Sequence, residues 1–75
     1  MRIISQDKTY SCEFQEHDLR IQAGIIYAVS NPRDIVLGSY VTDARAKEVL
    51  TDIHNHACYE MKMLPEMLVY EMPWE

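Results

Sequence analysis

Residues 25–29 and 35–41 each carry apolar side chains on both faces of an extended strand, yet only one amphipathic helix follows to cover them. Successive side chains of a strand alternate between faces. Ile25, Tyr27 and Val29 therefore point one way and Ile26 and Ala28 the other. In the second stretch Ile35 and Leu37 oppose Val36 and Tyr40. Between the two, Ser30-Asn31-Pro32-Arg33-Asp34 is turn chemistry, because Pro fixes φ and Asn and Asp accept local hydrogen bonds. The pair reads as a hairpin.

The helix begins at Thr42, a natural N-cap, with Asp43 in the first turn where a carboxylate complements the helix dipole. It runs to about Tyr59. Ala46, Val49, Leu50, Ile53 and Ala57 recur at helical spacing and form a stripe for burial, while Arg45, Glu48, Asp52, Asn55 and Tyr59 lie toward the other side. Asp43 and Lys47 are ordered for an i,i+4 ion pair. One such helix covers one face of a small sheet. Burying an Ile or Leu side chain contributes roughly 1.5–3 kcal/mol, so the second apolar face needs a cover too. That cover is the first strands, the Met-rich segment around Met61, Met63 and Met67, a second copy of the chain, or a partner protein. A two-fold homodimer is the simplest association, with Ile25, Tyr27, Val29, Ile35 and Leu37 as the interface.

The remaining elements are short. Ile3-Ile4-Ser5 reads as a first strand, Asp7-Lys8 as a turn, and Tyr10 to Phe14 alternates as a second strand. Gln15 to Asp18 is a polar connection. Leu19 to Val29 reads as one long strand, with Gly24 as a bulge or bend. Pro65 stops the helix from continuing, Met67 to Met72 reads as a last edge strand, and Pro73 ends it. Trp74 either docks on the domain or is open to a partner. The fold expected is a single α+β domain over residues 1–75. It consists of an antiparallel sheet of four to five strands, with one helix on one face, in the order β-β-β-β-α-β.

Size and charge narrow the function classes. A chain of 75 residues buries only roughly 60% of its unfolded surface, so it is marginal alone. Twelve acidic and seven scattered basic residues give a formal charge of −5, which opposes binding to phosphate backbones. No apolar run approaches the roughly 20 residues of a membrane span, and the polar turn at Gln6-Asp7 does not fit a signal peptide. A cytoplasmic setting follows, with Cys12 and Cys58 as reduced thiols.

Two constellations carry chemistry. His54 and Cys58 are i,i+4 neighbours that can share a metal, but two ligands do not complete a tetrahedral site, and His17, Cys12 or a second subunit would have to add others. The bland alternative has His54 bordering the core and Cys58 as a small buried hydrophobe; the expectation is no metal and no cofactor. Glu48, Asp52, His56 and Glu60 form an i,i+4 ladder that either imitates a phosphate backbone toward a basic groove or is a solvated helix face. No Gly-rich phosphate loop is present and no nucleophile sits in a recognisable motif, so an enzyme is not expected.

The opening Met1-Arg2-Ile3-Ile4-Ser5-Gln6-Asp7 resembles the start of small uncharacterised proteins of Firmicutes and their phages. Gly38-Ser39-Tyr40 leading into Ala44-Arg45-Ala46-Lys47-Glu48-Val49-Leu50 is similar to the same group, as is the closing Val69-Tyr70-Glu71-Met72-Pro73. Members often carry Pro-Tyr-Glu after the first turn, where Cys12-Glu13-Phe14 stands here. The resemblance implies a phage or prophage setting and a non-enzymatic protein that binds a host factor, an anti-CRISPR-like inhibitor being one version. The alternative from a different class is a small-ligand or metal binder, such as a nucleotide-signal sponge formed between subunits.

Overall fold

The computed structural model describes residues 1–59 and 69–75, with the side chains of Cys58 and Tyr59 outside that description. The order is β1 (Arg2–Ile4), β2 (Ser11–Glu13), a turn of 3-10 helix (Phe14–Glu16), β3 (Leu19–Gln22), β4 (Ile25–Ala28), β5 (Ile35–Ser39), α1 (Asp43–Tyr59) and β6 (Val69–Glu71). The class is α+β with one helix among the described residues, as expected. The sheet is not. Among the described residues six strands make two three-stranded sheets, ordered β2-β1-β6 and β3-β4-β5, and β6 lies parallel to β1.

The stretch from Leu19 to Val29 is two strands rather than one. Leu19 pairs with Ala28 and Gln22 with Ile25, so the chain reverses over Ala23-Gly24. Both residues have positive φ, 52° and 75°, the signature of a two-residue hairpin turn whose twist matches its strands. Gly24 also locks the turn to the helix start. Its N–H donates to Asp43 Oδ1, and its carbonyl accepts from Tyr40 N at 2.8 Å. Asp43 is thereby committed to the turn rather than to Lys47. The ion pair on that stretch is Arg45–Glu48 at 3.2 Å, and Thr42 caps as expected, its Oγ1 accepting from Arg45 N at 3.1 Å.

The hairpin of β4 and β5 forms, with the Asn31–Pro32 peptide cis in its loop. Its register slips between Ile26 and Tyr27: Ile26 faces Gly38 and Tyr27 faces Val36, leaving Leu37 as the extra, bulged residue. Inner faces of both sheets meet the helix. Ile3, Cys12 and Tyr70 from the first sheet, Ile26, Ala28 and Leu37 from the second, and Ala46, Val49 and Ile53 from α1 form one core with Met1, Tyr40 and Met72. The expected helical stripe is therefore the buried one, with Leu50 and Ala57 half-buried at its edge. Gln6 ties the two sheets together. Its backbone N–H donates to Leu37 O at 2.7 Å, its Oε1 accepts from Ser39 N at 2.9 Å, and its amide donates to Trp74 O at 2.7 Å.

The β1–β2 turn is organised by Asp7, whose carboxylate accepts from Thr9 Oγ1 at 2.7 Å, Thr9 N at 3.0 Å and Ser5 Oγ at 2.8 Å. The Thr9 hydroxyl and N–H, then the Ser5 hydroxyl, lower its pKa to about 2 from the ordinary 3.8. A depressed carboxylate stabilises the fold above its unfolded pKa and loses that contribution as pH falls through the folded one. Asp7 is therefore expected to add acid sensitivity between about pH 4 and about pH 2. A carboxyl-carbon NMR titration should give a midpoint near 2, and Asp7→Asn should remove this part of the acid transition. A midpoint at the ordinary value would show that the bracket of donors does not persist in solution.

Candidate functional site

The outer face of β3–β4–β5 is where sequence and structure agree most closely on an exposed surface. Gln22, Ile25, Arg20 and Tyr27 share this face by register, and Val36 opposite Tyr27 joins them. Ile25 and Tyr27 are half-buried, while Val29 is 40% and Val36 51% exposed. The Arg20 guanidinium lies 4.2 Å over the Tyr27 ring centroid, a cation–π contact, and its Nε donates to Asp34 Oδ2 at 2.7 Å. That bond, with the Ser30 N–H on the other oxygen, lowers the Asp34 pKa. Two residues expected here are elsewhere. Ile35 pairs with Ala28 and so shares its inward face, and Leu37, two residues on, follows it into the core, where it is 1% exposed. Alternation within β5 separates Ile35 and Leu37 from Val36 as expected, but the pairing with β4 sets Val36, not Ile35 and Leu37, on the face of Tyr27.

The acidic ladder on α1 is partly engaged. Glu48 pairs with Arg45. Asp52 accepts from the Tyr70 hydroxyl at 2.8 Å, and His56 packs edge-on against the Tyr70 ring with centroids 4.9 Å apart. Burial, then the Asp52 carboxylate, raises the Tyr70 pKa well above its ordinary value. Asp52 and His56 thus join the helix to β6 as well as facing solvent. Glu60, the fourth member, lies outside the described residues.

Among the described residues the His/Cys run gathers no ligand set. His54 is exposed, its Nδ1 donates to Leu50 O at 2.9 Å, and its ring meets the half-buried Phe14 edge-on at 5.4 Å. His17 Nδ1 donates to Val29 O at 3.3 Å and His56 Nδ1 to Asp52 O at 3.1 Å; a carbonyl only accepts, which puts the proton on Nδ1 in each. His17 and His54 line one cavity of about 460 Å³ with Asp18, yet among the described residues no three His, Cys, Asp or Glu side chains converge on a common point. Cys12 is buried on β2, and burial raises its thiol pKa, which suits packing rather than reactivity. Cys58 contributes no described side chain.

One surface was only half-legible in the sequence. Trp74 is 76% exposed and lines a cavity of about 630 Å³ with Ser39, Tyr40, Val41, Arg45 and Glu75. Its backbone is held by Gln6, while Arg45 Nε and Nη2 donate to Glu75 O at 2.9 and 2.7 Å. The Gln6 bridge had no local signal, because its acceptors lie more than 30 residues away.

No helix among the described residues is long and apolar enough to cross a membrane. No protein-family model, curated protein or solved structure matches the chain. Fold and surface define a class: a small α+β domain with a closed core and an amphipathic outer sheet face.

Proposed function

We propose that the chain is a non-enzymatic protein-binding module that works as a homo-oligomer. The observation that carries this reading is the outer face of β3–β4–β5, which keeps Val29 and Val36 exposed beside Ile25 and Tyr27, on the side of the sheet away from the buried cluster. Apolar groups placed regularly on one sheet face mark an interaction surface. The acidic ridge of Glu48 and Asp52 is a second surface, suited to a basic protein target, and the resemblance to phage proteins makes a host-defence factor the concrete version. The small-ligand or metal alternative finds no three-ligand set among the described residues.

Sedimentation velocity with native mass spectrometry tests the reading. An oligomer free of small molecules supports it; a monomer at every concentration, or one carrying a retained ligand or metal, overturns it. For the ridge, Glu48→Lys combined with Asp52→Asn keeps an acceptor for Tyr70 while reversing the exposed charge. That pair should abolish capture of a basic target. Exposed ion pairs such as Arg45–Glu48 contribute only about 0–1 kcal/mol, so the variant stays folded.

A further inference from the structure

The outer face of β3–β4–β5 carries two polar groups, Arg20 Nη2 and Tyr27 Oη, without a hydrogen-bond partner among the described residues. Arg20 uses Nε on Asp34 and Nη1 on Gln22 Oε1 at 2.8 Å, which leaves Nη2 without an acceptor among the described residues. The Tyr27 hydroxyl, on the ring beneath that guanidinium, likewise has no hydrogen-bond partner there. A donor is thus held over an aromatic ring beside an open acceptor, on the face that also carries Ile25, Val29 and Val36. Burying such a face leaves both groups unsatisfied unless the covering surface supplies the complement.

We infer that the cover is a second copy of this chain, placed face to face across a two-fold axis, with Arg20 Nη2 of each copy donating to Tyr27 Oη of the other. This deepens the oligomer reading and rests on it. A two-fold interface must satisfy residue i with j and j with i, and this pair does so by itself. Charge points the same way. The molecule carries −5 overall, but on this face Arg20 is neutralised by Asp34, whose two oxygens are taken by Arg20 and the Ser30 N–H. A basic partner finds no free carboxylate there and an acidic partner no free net charge. Two like copies meet without repulsion here, whereas the Glu48–Asp52 ridge would repel itself.

The test is the dimer dissociation constant of the full chain by sedimentation velocity from about 1 μM to about 500 μM, for wild type and three variants. Val36→Lys places a charge in the contact without touching the core and should weaken the dimer by about 100-fold or more. Tyr27→Phe removes one hydroxyl per copy and should cost roughly 10-fold. Val69→Lys, on the first sheet and 52% exposed, is the control and should leave the constant unchanged. Circular dichroism checks that each variant keeps its fold. If the wild type self-associates but Val36→Lys and Tyr27→Phe stay within twofold of it, this arrangement is wrong while the oligomer reading stands. Equal sensitivity to Val69→Lys also overturns it, as does a monomer whose outer face binds a different protein. A wild type that stays monomeric at every concentration sinks the oligomer reading beneath it as well.

Discussion

Gly24→Ala is expected to lower stability by about 3 kcal/mol or more, a large share of the roughly 4–11 kcal/mol that a domain of this length holds. Gly24 is buried at φ +75°, where a side chain is strained by about 1–2 kcal/mol. An added Cβ would also stand 2.5 Å from the Tyr40 carbonyl oxygen, which is backbone and cannot swing aside. Relief of that clash pulls the turn off both Asp43 and Tyr40, so the helix start loosens with the hairpin. The neighbouring residue predicts the opposite sign. Ala23 has φ 52° but is exposed, so Ala23→Asn, giving the Asn-Gly favoured in this turn, should raise stability by about 0.5–1 kcal/mol. Urea denaturation of both variants checks the pair; a Gly24→Ala midpoint equal to wild type would show that the turn is not locked as described.

Ile53→Ala should cost about 2–5 kcal/mol, the range for deleting a large aliphatic side chain from a closed core. Ile53 is 0% exposed on the buried stripe of α1, within the cluster where the inner faces of both sheets meet. A loss of this size lowers Tm by about 4–8 °C per kcal/mol in a chain this short. Val41→Ala, at a fully exposed position, should stay within about 0.5 kcal/mol. Thermal unfolding followed by circular dichroism separates the two, and near-equal shifts would mean that the helix is not the keystone of the core.

The legible parts of this protein are those whose cause is local. Period-2 alternation put Ile26 and Ala28 opposite Ile25, Tyr27 and Val29, and it did so correctly because a strand cannot choose otherwise. The Thr42 cap and the Ala46–Val49–Ile53 stripe were equally visible, since capping and helical spacing act within a few residues. What failed was non-local. The turn at Ala23-Gly24 has an alanine where glycine or asparagine announces a reversal, so only pairing of Leu19 with Ala28 reveals it. The face on which Ile35 and Leu37 lie is set by the pairing of Ile35 with Ala28 and of Val36 with Tyr27, a register that neither strand specifies alone.

The same division holds for the candidate surfaces. Sequence by itself determined that both sheet faces are apolar, that the helix is amphipathic and that the chain is acidic; each is a sum or a period over neighbouring residues. Only the tertiary structure decided that the first strands pair with β6 in a separate sheet, that Gln6 joins the two sheets, and that Arg20 lies on Tyr27 beside Asp34. Those contacts join residues far apart along the chain. Their energy appears only once the core has brought the partners within hydrogen-bonding distance, so no window of sequence contains it.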